Sequence, residues 1–153
     1  MRKVILFFLL VFLLPLFTYA QPSDRYEYVT ISNGTLFYFD RQTAHYINSS
    51  IVDYWEKAVF SDEARKDYLE GLKRAGGDIS RLTNLRYTMT HMQIDTISPR
   101  QRIGEIAYYN ENGDLLYNTF DPMSMWISIV PDTVGEQIHN SVKTYVGKAK
   151  PSR

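Results

Sequence analysis

The sequence predicts an α+β domain: a six-stranded, mainly antiparallel sheet with one mid-chain helix and a C-terminal helix packed on it. Short β-prone runs are separated by turn residues, and strands joined by short turns form antiparallel sheets. Two other segments have the apolar spacing of amphipathic helices. The chain is also rich in aromatic residues, with 12 Tyr, 8 Phe and 2 Trp, as is usual in sheets. Helices that cover an antiparallel sheet give the α+β class.

Turn residues separate the predicted strands. Asn33-Gly34 joins the first two strands, because both residues of a two-residue hairpin turn must accept positive φ. Pro99 marks a later turn, and Glu111–Asp114 closes a second hairpin. The six predicted strands are Tyr26–Ser32, Thr35–Asp40, Ile51–Phe60, Leu85–Asp95, Gln101–Asn110 and Leu115–Phe120.

The remaining non-helical segments are predicted connections. Arg41–Ser50 is polar and is expected to form a loop, and Asp78–Asn84 is expected to link a helix to a strand. Trp126–Val130 is expected to contain a short extended piece that ends at Pro131. Because successive side chains of a strand point to opposite faces, the neighbours Tyr54 and Trp55 place an aromatic ring on each face of the third strand.

The mid-chain helix is predicted over Ser61–Ala75. Ser61 is a favourable N-cap, and the acidic pair that follows it suits the positive end of a helix. Gly76-Gly77 ends the pattern. An apolar stripe of residues four apart would face the sheet: Ala64, Tyr68 and Leu72.

The C-terminal helix is predicted to open with a capping box formed by Thr133 and Glu136. Gly147 is predicted to end this helix, and Lys148–Arg153 is expected to be a polar tail. An apolar stripe at spacings of four, four and three is predicted to attach the helix to the sheet: Val134, Ile138, Val142 and Tyr145.

The N-terminal segment has the three-part pattern of a secretory signal peptide. Arg2 and Lys3 form a short positive head, and Val4–Phe17 is an apolar run shorter than the ~20 residues of a membrane-spanning helix. Small residues then precede a cleavage position. We therefore expect Met1–Ala20 to be removed as a signal peptide. This leaves Gln21–Arg153 as a single exported domain, which we expect not to insert into a membrane.

Charge and cysteine content exclude several classes of function. The chain has 17 basic and 17 acidic side chains, so it lacks the positive field that nucleic-acid binding needs. It has no cysteine, which excludes thiol catalysis and Cys-based metal sites and leaves the domain to fold without disulfides. We expect no nucleic-acid partner.

No chemical motif predicts an active site. His45, His91 and His139 do not have the spacing of a metal-ligand pair, and no serine lies in a nucleophile-elbow motif. Gly76-Gly77 lacks the Lys-Ser/Thr partner of a phosphate loop, and Gly104 is more simply a bulge or a tight packing position. We therefore expect a non-enzyme with no catalytic, cofactor-binding or metal-binding residues. His91 is expected to be a sheet histidine with an ordinary hydrogen bond.

Several short segments appear in a recognisable order along nearly the whole of the predicted domain. These are Gly34–Asp40, Val52–Lys57, Gln93–Asp95, and a closing segment that runs from Trp126 through Pro131 to Glu136. With this order and spacing, the chain from Tyr26 to Val146 resembles the surface-adhesin protein E-like domain of exported proteins in diderm bacteria. Members of that family often join the last helix to the sheet by a disulfide. Here Thr96 stands at the first cysteine position, and the second falls near Val142.

The resemblance implies an exported binding module, periplasmic or at the cell surface, whose partner is an extracellular or envelope protein. An exposed edge strand or an aromatic sheet face would supply the contact. Two other roles remain open from the sequence: an envelope structural or stress protein, and a carrier of a small ligand in an aromatic groove between sheet and helix. The sequence does not identify binding residues, and a homodimer remains open.

Overall fold

The computed structural model describes residues 25–120 and 124–149, so the predicted signal peptide Met1–Ala20 lies outside the described residues. Eight strands and two helices follow one another in the order β1–β4, α1, β5–β8, α2. The strands are β1 Tyr26–Ser32, β2 Thr35–Asp40, β3 His45–Tyr46, β4 Ile51–Phe60, β5 Tyr87–Asp95, β6 Arg100–Tyr109, β7 Leu115–Phe120 and β8 Ile127–Ser128. The helices are α1 Asp62–Arg74 and α2 Val134–Ala149.

The strands form one antiparallel sheet in the order β1-β2-β4-β5-β6-β7. Two short strands lie off this path, since β3 pairs with β4 and β8 pairs with β6. The predicted α+β class is confirmed, and the six predicted strands form the main path of the sheet. The prediction of a loop over Arg41–Ser50 is wrong for two residues. His45 pairs with Asp53 and Tyr46 pairs with Val52, which forms the short strand β3.

Element boundaries differ from the predictions in a few places. β5 begins at Tyr87 rather than Leu85, because Leu85 is a buried turn residue whose N–H donates to the Leu82 carbonyl. The prediction that Gly147 ends the last helix is wrong, since α2 continues to Ala149. A glycine ends a helix by adopting positive φ, and Gly147 does not adopt it.

The first hairpin abuts the start of α1. Asn33 and Gly34 have φ of 45° and 74°, as the predicted turn requires. The Gly34 carbonyl accepts a hydrogen bond from the Ser61 N–H at 2.9 Å, and a Cβ on Gly34 would lie 2.5 Å from the Ser61 Oγ. Glycine is thus needed here both for its φ and for the close approach of the helix.

Both predicted stop and start signals of α1 are confirmed. The Ser61 Oγ accepts a hydrogen bond from the Ala64 N–H at 3.1 Å. At the other end Gly76 has a φ of 82°, its N–H donates to the Lys73 carbonyl, and the Gly77 N–H donates to the Leu72 carbonyl. This pair of bonds is the Schellman arrangement that closes a helix.

The capping box of α2 forms with one change. The Thr133 Oγ1 accepts a hydrogen bond from the Glu136 N–H at 3.4 Å. The Glu136 carboxylate accepts in return from the Asp132 N–H at 2.9 Å, one residue before the predicted donor. Asp132 has a φ of 60°, and this turn in the backbone brings its N–H to the carboxylate.

Both helices pack on the same face of the sheet, which we call the covered face. In β4, Val52 and Tyr54 join a cluster with Ile138, Val142 and Val146 of α2. Further along β4, Ala58 and Phe60 lie on the same face and join a second cluster with Ala64 of α1. The other members of this cluster come from the linker and from β6: Leu82, Leu85 and Tyr108. Since alternate residues of a strand share a face, α2 covers one end of this face and α1 the other.

Hydrogen bonds hold α2 to the sheet in the absence of a disulfide. The His139 Nε2–H donates to the Asp95 carbonyl at 3.1 Å, next to Thr96, where the resembling family often has a cysteine. The Tyr145 hydroxyl donates to the Arg41 carbonyl at 3.2 Å. Together with the buried Val142, these bonds attach the helix at both ends.

A carboxyl group lies on the covered face between the two clusters. Glu56 shares this face with Tyr54 and Ala58, and burial raises the pKa of Glu56 to about 7. Burial, and secondarily Glu56, raise the pKa of Tyr54 well above its usual value. The Tyr54 hydroxyl is buried and has no hydrogen-bond partner among the described residues.

Within residues 25–120 and 124–149, neither helix is both long and apolar enough to cross a membrane.

Ile138→Ala tests the attachment of α2. Ile138 is 3% exposed and packs against the β4 and β5 residues of its cluster. Truncating such a side chain leaves a cavity, so we expect the free energy of unfolding to fall by about 2–5 kcal/mol. Urea and thermal unfolding measure the loss. Gln137→Ala, at an exposed position one residue earlier, is the matched control. An unchanged melting temperature for Ile138→Ala would show that the helix does not depend on this contact.

Glu56→Gln tests the buried carboxyl. The pKa of Glu56 is about 7 in the fold and 4.5 ordinarily, so the folded state binds more protons than the unfolded state between these values. Wild-type stability therefore falls as pH rises from 4.5 to 7 on account of this group. The amide does not ionise, so the variant should gain on the order of 2 kcal/mol relative to wild type across this range.

The measurement is the difference in unfolding free energy between Glu56→Gln and wild type at pH values below, within and above that range. Glu63→Gln, an exposed carboxyl in the first turn of α1, controls for the change in charge. A difference that stays constant with pH would contradict the buried position of Glu56.

Candidate functional site

The face of the sheet opposite the helices is the candidate functional site, and we call it the open face. Among the described residues, neither helix lies on it, because both pack on the other side. β4 contributes Asp53, Trp55 and Lys57 to the open face, which alternate with the residues of the covered face. The predicted placement of Tyr54 and Trp55 on opposite faces is confirmed.

Aromatic rings are paired across neighbouring strands of this face. Tyr28 of β1 and Tyr38 of β2 are 5.6 Å apart between ring centroids in an edge-to-face arrangement. Tyr87 of β5 stacks on Tyr109 of β6 at 4.9 Å. Ring pairs of this kind stabilise a sheet surface beyond the area they bury. The face is therefore ordered by its own side chains rather than by a covering helix.

Lys57 occupies the centre of the open face between two tyrosine rings. Its Nζ lies 4.8 Å from the Tyr26 centroid and 4.4 Å from the Tyr87 centroid. Burial, with a smaller contribution from Arg25, lowers the pKa of Lys57. Cation–π contacts hold the ammonium in this position. Because β1 and β5 are separated by two strands, this lysine joins distant parts of the face.

A hydrogen-bonded chain runs along the face from β4 to β6. Both Asp53 carboxylate oxygens lie 2.9 Å from the His91 Nε2, so this nitrogen carries a proton. The Gln93 amide donates to Asp53 at 2.8 Å and accepts from the Arg102 Nε at 2.8 Å. The His91 ring also lies 5.3 Å from the Trp55 ring. The expected ordinary hydrogen bond of His91 is confirmed, and its partner is Asp53.

The two readings of Gly104 from the sequence are both confirmed. The β5–β6 register shifts between His91 and Met92, which pair with Glu105 and Ile103 and leave Gly104 as the bulged residue. A Cβ on Gly104 would lie 2.8 Å from the His91 Nδ1, closer than real Cβ contacts. The bulge and the missing side chain together make room for the histidine ring.

A pocket of about 200 Å³ opens beside this chain of hydrogen bonds. Polar side chains of β5 and β6 line one side of it, and the region around the end of β7 lines the other. Trp126 lies over the guanidinium carbons of Arg100 and Arg102 at 5.2 and 5.1 Å. The lining residues are His91, Gln93, Arg102, Ile103, Gly104, Phe120 and Ser124.

A larger groove lies at the other side of the molecule, between β1 and α2. Its volume is about 630 Å³, and it is broadly open. The carrier alternative expects an aromatic groove between sheet and helix, but Tyr145 is the one aromatic residue among those that line this groove. Its other lining residues are polar or charged: Glu27, Arg41, Asn140, Ser141, Thr144 and Lys148.

The described residues do not form a metal-binding cluster. No three His, Asp or Glu side chains in residues 25–120 and 124–149 are placed to hold a metal ion. The three histidines lie apart: His91 bonds to Asp53, the His45 ring contacts the Thr43 carbonyl, and His139 belongs to α2 and bonds to the Asp95 carbonyl. The Ser124 Oγ accepts from the Ile103 N–H, and no hydrogen bond links it to His91.

The sequence predicted an aromatic sheet face as a possible contact surface, but it did not identify the residues of the open face. The signal was present, because Trp55 and Lys57 alternate on one strand and His91 and Gln93 on another. Only the register brings them together, by pairing Trp55 with His91. Neither face of β4 could be selected beforehand, since each carries an aromatic residue.

No protein-family model matches the chain, and no curated protein matches it in sequence. Two solved structures of protein E from Haemophilus influenzae are similar to it. The crystal structure of protein E from the non-typeable organism is 13% identical, covers 80% of this chain and 78% of its own, and has a TM-score of 0.49. A second structure of H. influenzae protein E is 12% identical, covers 80% and 92%, and has a TM-score of 0.46. Both are structures of protein E, after which the family that the sequence resembles is named.

Gly104→Ala tests the arrangement of His91. The new methyl group would meet the His91 Nδ1 at 2.8 Å, so we expect the ring to move and its bond to Asp53 to weaken. Overpacking of this kind costs about 1–3 kcal/mol. Denaturant unfolding measures the loss, and NMR of the imidazole nitrogens reports the bond.

Gly71→Ala is the matched control, because its added methyl group has no atom within 4 Å and lies in a helix. This variant should gain about 0.5–1 kcal/mol. Unchanged His91 signals and unchanged stability in Gly104→Ala would contradict the described contact.

Proposed function

We propose that this chain is an exported, non-enzymatic binding module of the bacterial envelope that binds an extracellular or envelope protein in an adhesin-like manner. The observation that carries the proposal is the open face, where aromatic and cationic side chains are fixed to one another on a sheet surface that no described helix covers. The signal-peptide pattern of Met1–Ala20 supports export.

The composition of the open face suits a protein partner. Tyrosine, tryptophan and arginine provide large contact areas with polar ends and dominate the binding energy of protein interfaces. Their rings are held by neighbours, as Tyr87 is by Tyr109 and Lys57, so little side-chain freedom is lost on binding. A fixed surface of this kind favours recognition of a folded or extended protein segment.

Exposed apolar residues lie at both ends of this face. Tyr28 of β1 is 52% exposed, and Phe120 of β7 is 63% exposed. β1 and β7 are the edges of the main path of the sheet. Apolar groups at the surface contribute to binding when a partner removes them from water. The partner would therefore extend across the sheet from one edge toward the other.

Tyr28→Glu and Phe120→Glu test the proposal. Each places a charge at one end of the open face without removing a buried side chain. The proteins are purified from the exported fraction, where mass spectrometry is expected to find an N-terminus at Gln21. Surface plasmon resonance then compares them with wild type against the partner captured from envelope and extracellular-matrix extracts. We expect at least one variant to bind about tenfold more weakly, since a charge buried unpaired in an interface costs 1.4 kcal/mol or more.

Ile97→Glu is the matched control, because Ile97 is exposed in the turn between β5 and β6. Equal binding by wild type and both face variants would contradict the open face as the contact surface. Capture of no partner would favour the structural alternative. Substrate turnover that a chelator or a Ser124→Ala change abolishes would overturn the non-enzymatic proposal.

A further inference from the structure

We propose that the pocket lined by His91, Gln93 and Arg102 binds the carboxylate of an aspartate or glutamate side chain, presented by the protein partner between apolar residues. This inference rests on the proposed function, and it assigns the chemistry of one contact in the open face. We call this pocket the Arg102 pocket.

Arg102 is positioned as a guanidinium that receives a ligand. Its Nε donates to the Gln93 carbonyl oxygen at 2.8 Å, and Gln93 is held in turn by Asp53 at 2.8 Å. Trp126 lies over its guanidinium carbon at 5.1 Å. Its two terminal nitrogens form no hydrogen bond to any described residue. The guanidinium is therefore held at its Nε edge by Gln93 and on one of its faces by Trp126. Its terminal N–H groups remain available to donate to both oxygens of a carboxylate.

The charge of Arg102 is also less compensated than that of two other arginines, Arg25 and Arg100. Arg25 is bonded to the Asp40 carboxylate at 2.7 Å, and Arg100 to the Asp95 carboxylate at 3.1 Å. The direct partner of Arg102 is instead the neutral amide of Gln93. An incoming carboxylate would thus meet a positive group that no described acidic residue pairs with.

Among the described residues, no acidic residue lines the Arg102 pocket. The nearest carboxylate in the hydrogen-bonded chain, Asp53, accepts from both His91 and Gln93, and these two residues stand between it and Arg102. Glu105, which follows the bulged Gly104, accepts a hydrogen bond from the Asn118 amide of β7 at 3.1 Å. The polar wall of the pocket therefore consists of an imidazole, an amide and a guanidinium, which complements an anion.

The size of the pocket favours one side chain over a free organic ligand. Its volume of about 200 Å³ is below the 300–1,000 Å³ typical of small-molecule sites. Phe120 forms part of its wall, and Met125 of the adjoining segment is 81% exposed. An acidic residue with apolar neighbours in an extended segment would place its carboxylate on Arg102 and its neighbours on these two side chains.

The two tryptophans of the chain provide the test. Trp126 contacts Arg102 and Trp55 contacts His91, so both indole N–H signals report on the pocket. The probe is the peptide acetyl-Ser-Val-Glu-Val-Ser-amide, titrated by NMR into the exported protein labelled with ¹⁵N. The control probe has Gln in place of Glu. We expect the acidic peptide alone to shift the Trp126 indole signal in a saturable way.

Arg102→Gln should weaken this binding by about tenfold, because a hydrogen bond to a charged group contributes about that factor. Arg74→Gln, on the exposed end of α1, is the matched control and should bind as wild type does. Arg102→Lys keeps the charge but removes the two-nitrogen fork, and it should bind with intermediate affinity. The lysine variant decides the matter if Arg102→Gln does not fold.

Equal shifts with the Gln peptide, absence of a saturable shift, or unchanged binding in Arg102→Gln and Arg102→Lys would each overturn the proposal. Sodium acetate that competes at the concentration of the acidic peptide itself would also overturn it, by showing a site for small free acids. These results are separable from the proposed function. A partner whose binding falls in Tyr28→Glu but not in Arg102→Gln would retain the open face as the contact surface and exclude the pocket.

Discussion

Burial of a single face of the sheet by both helices is the constraint on which the rest of the structure depends. Because side chains alternate along a strand, β4 presents its even-numbered residues from Val52 to Phe60 to the side of the helices and the odd-numbered residues between them to the other side. A shift of one residue in register would exchange the two faces. The covered face is therefore a conventional apolar core, and the open face must be stabilised by other means.

Those other means are ring and charge contacts between strands. On the open face, Lys57 lies between two tyrosine rings, and His91 lies between Trp55 and Asp53. These contacts fix the side chains of the open face, as apolar packing fixes those of the covered face. Such contacts are individually weaker than burial, but they leave the outer surfaces of the rings accessible. The same side chains thus keep the sheet ordered and provide a surface for a partner, which links the stability of the fold to its proposed function.

The covered face shows how a cysteine-free chain attaches its last helix. His139 bonds to the Asp95 carbonyl beside the position where the resembling family often has a cysteine, and Val142 is fully buried one turn later. A directional bond and apolar packing together replace a covalent link. Between the two helices, Tyr54 and Glu56 remain as polar groups in an apolar strip, and the raised pKa of Glu56 is the electrostatic consequence.

The sequence by itself determined the elements whose signals are local. The Asn33-Gly34 turn, the Ser61 cap, the Gly76-Gly77 stop and the bounds of β1, β2, β4 and β7 depend on φ preferences and periodicity within a few residues. The prediction that Gly147 ends α2 was wrong because a glycine permits positive φ without requiring it. The tertiary structure alone decided which face of the sheet is covered, since Tyr54 and Trp55 made both faces of β4 equally aromatic. It also decided the geometry of the Arg102 pocket. Asp53, the Gln93–Arg102 pair and Trp126 come from separate parts of the chain and meet only through strand register and the bulge at Gly104.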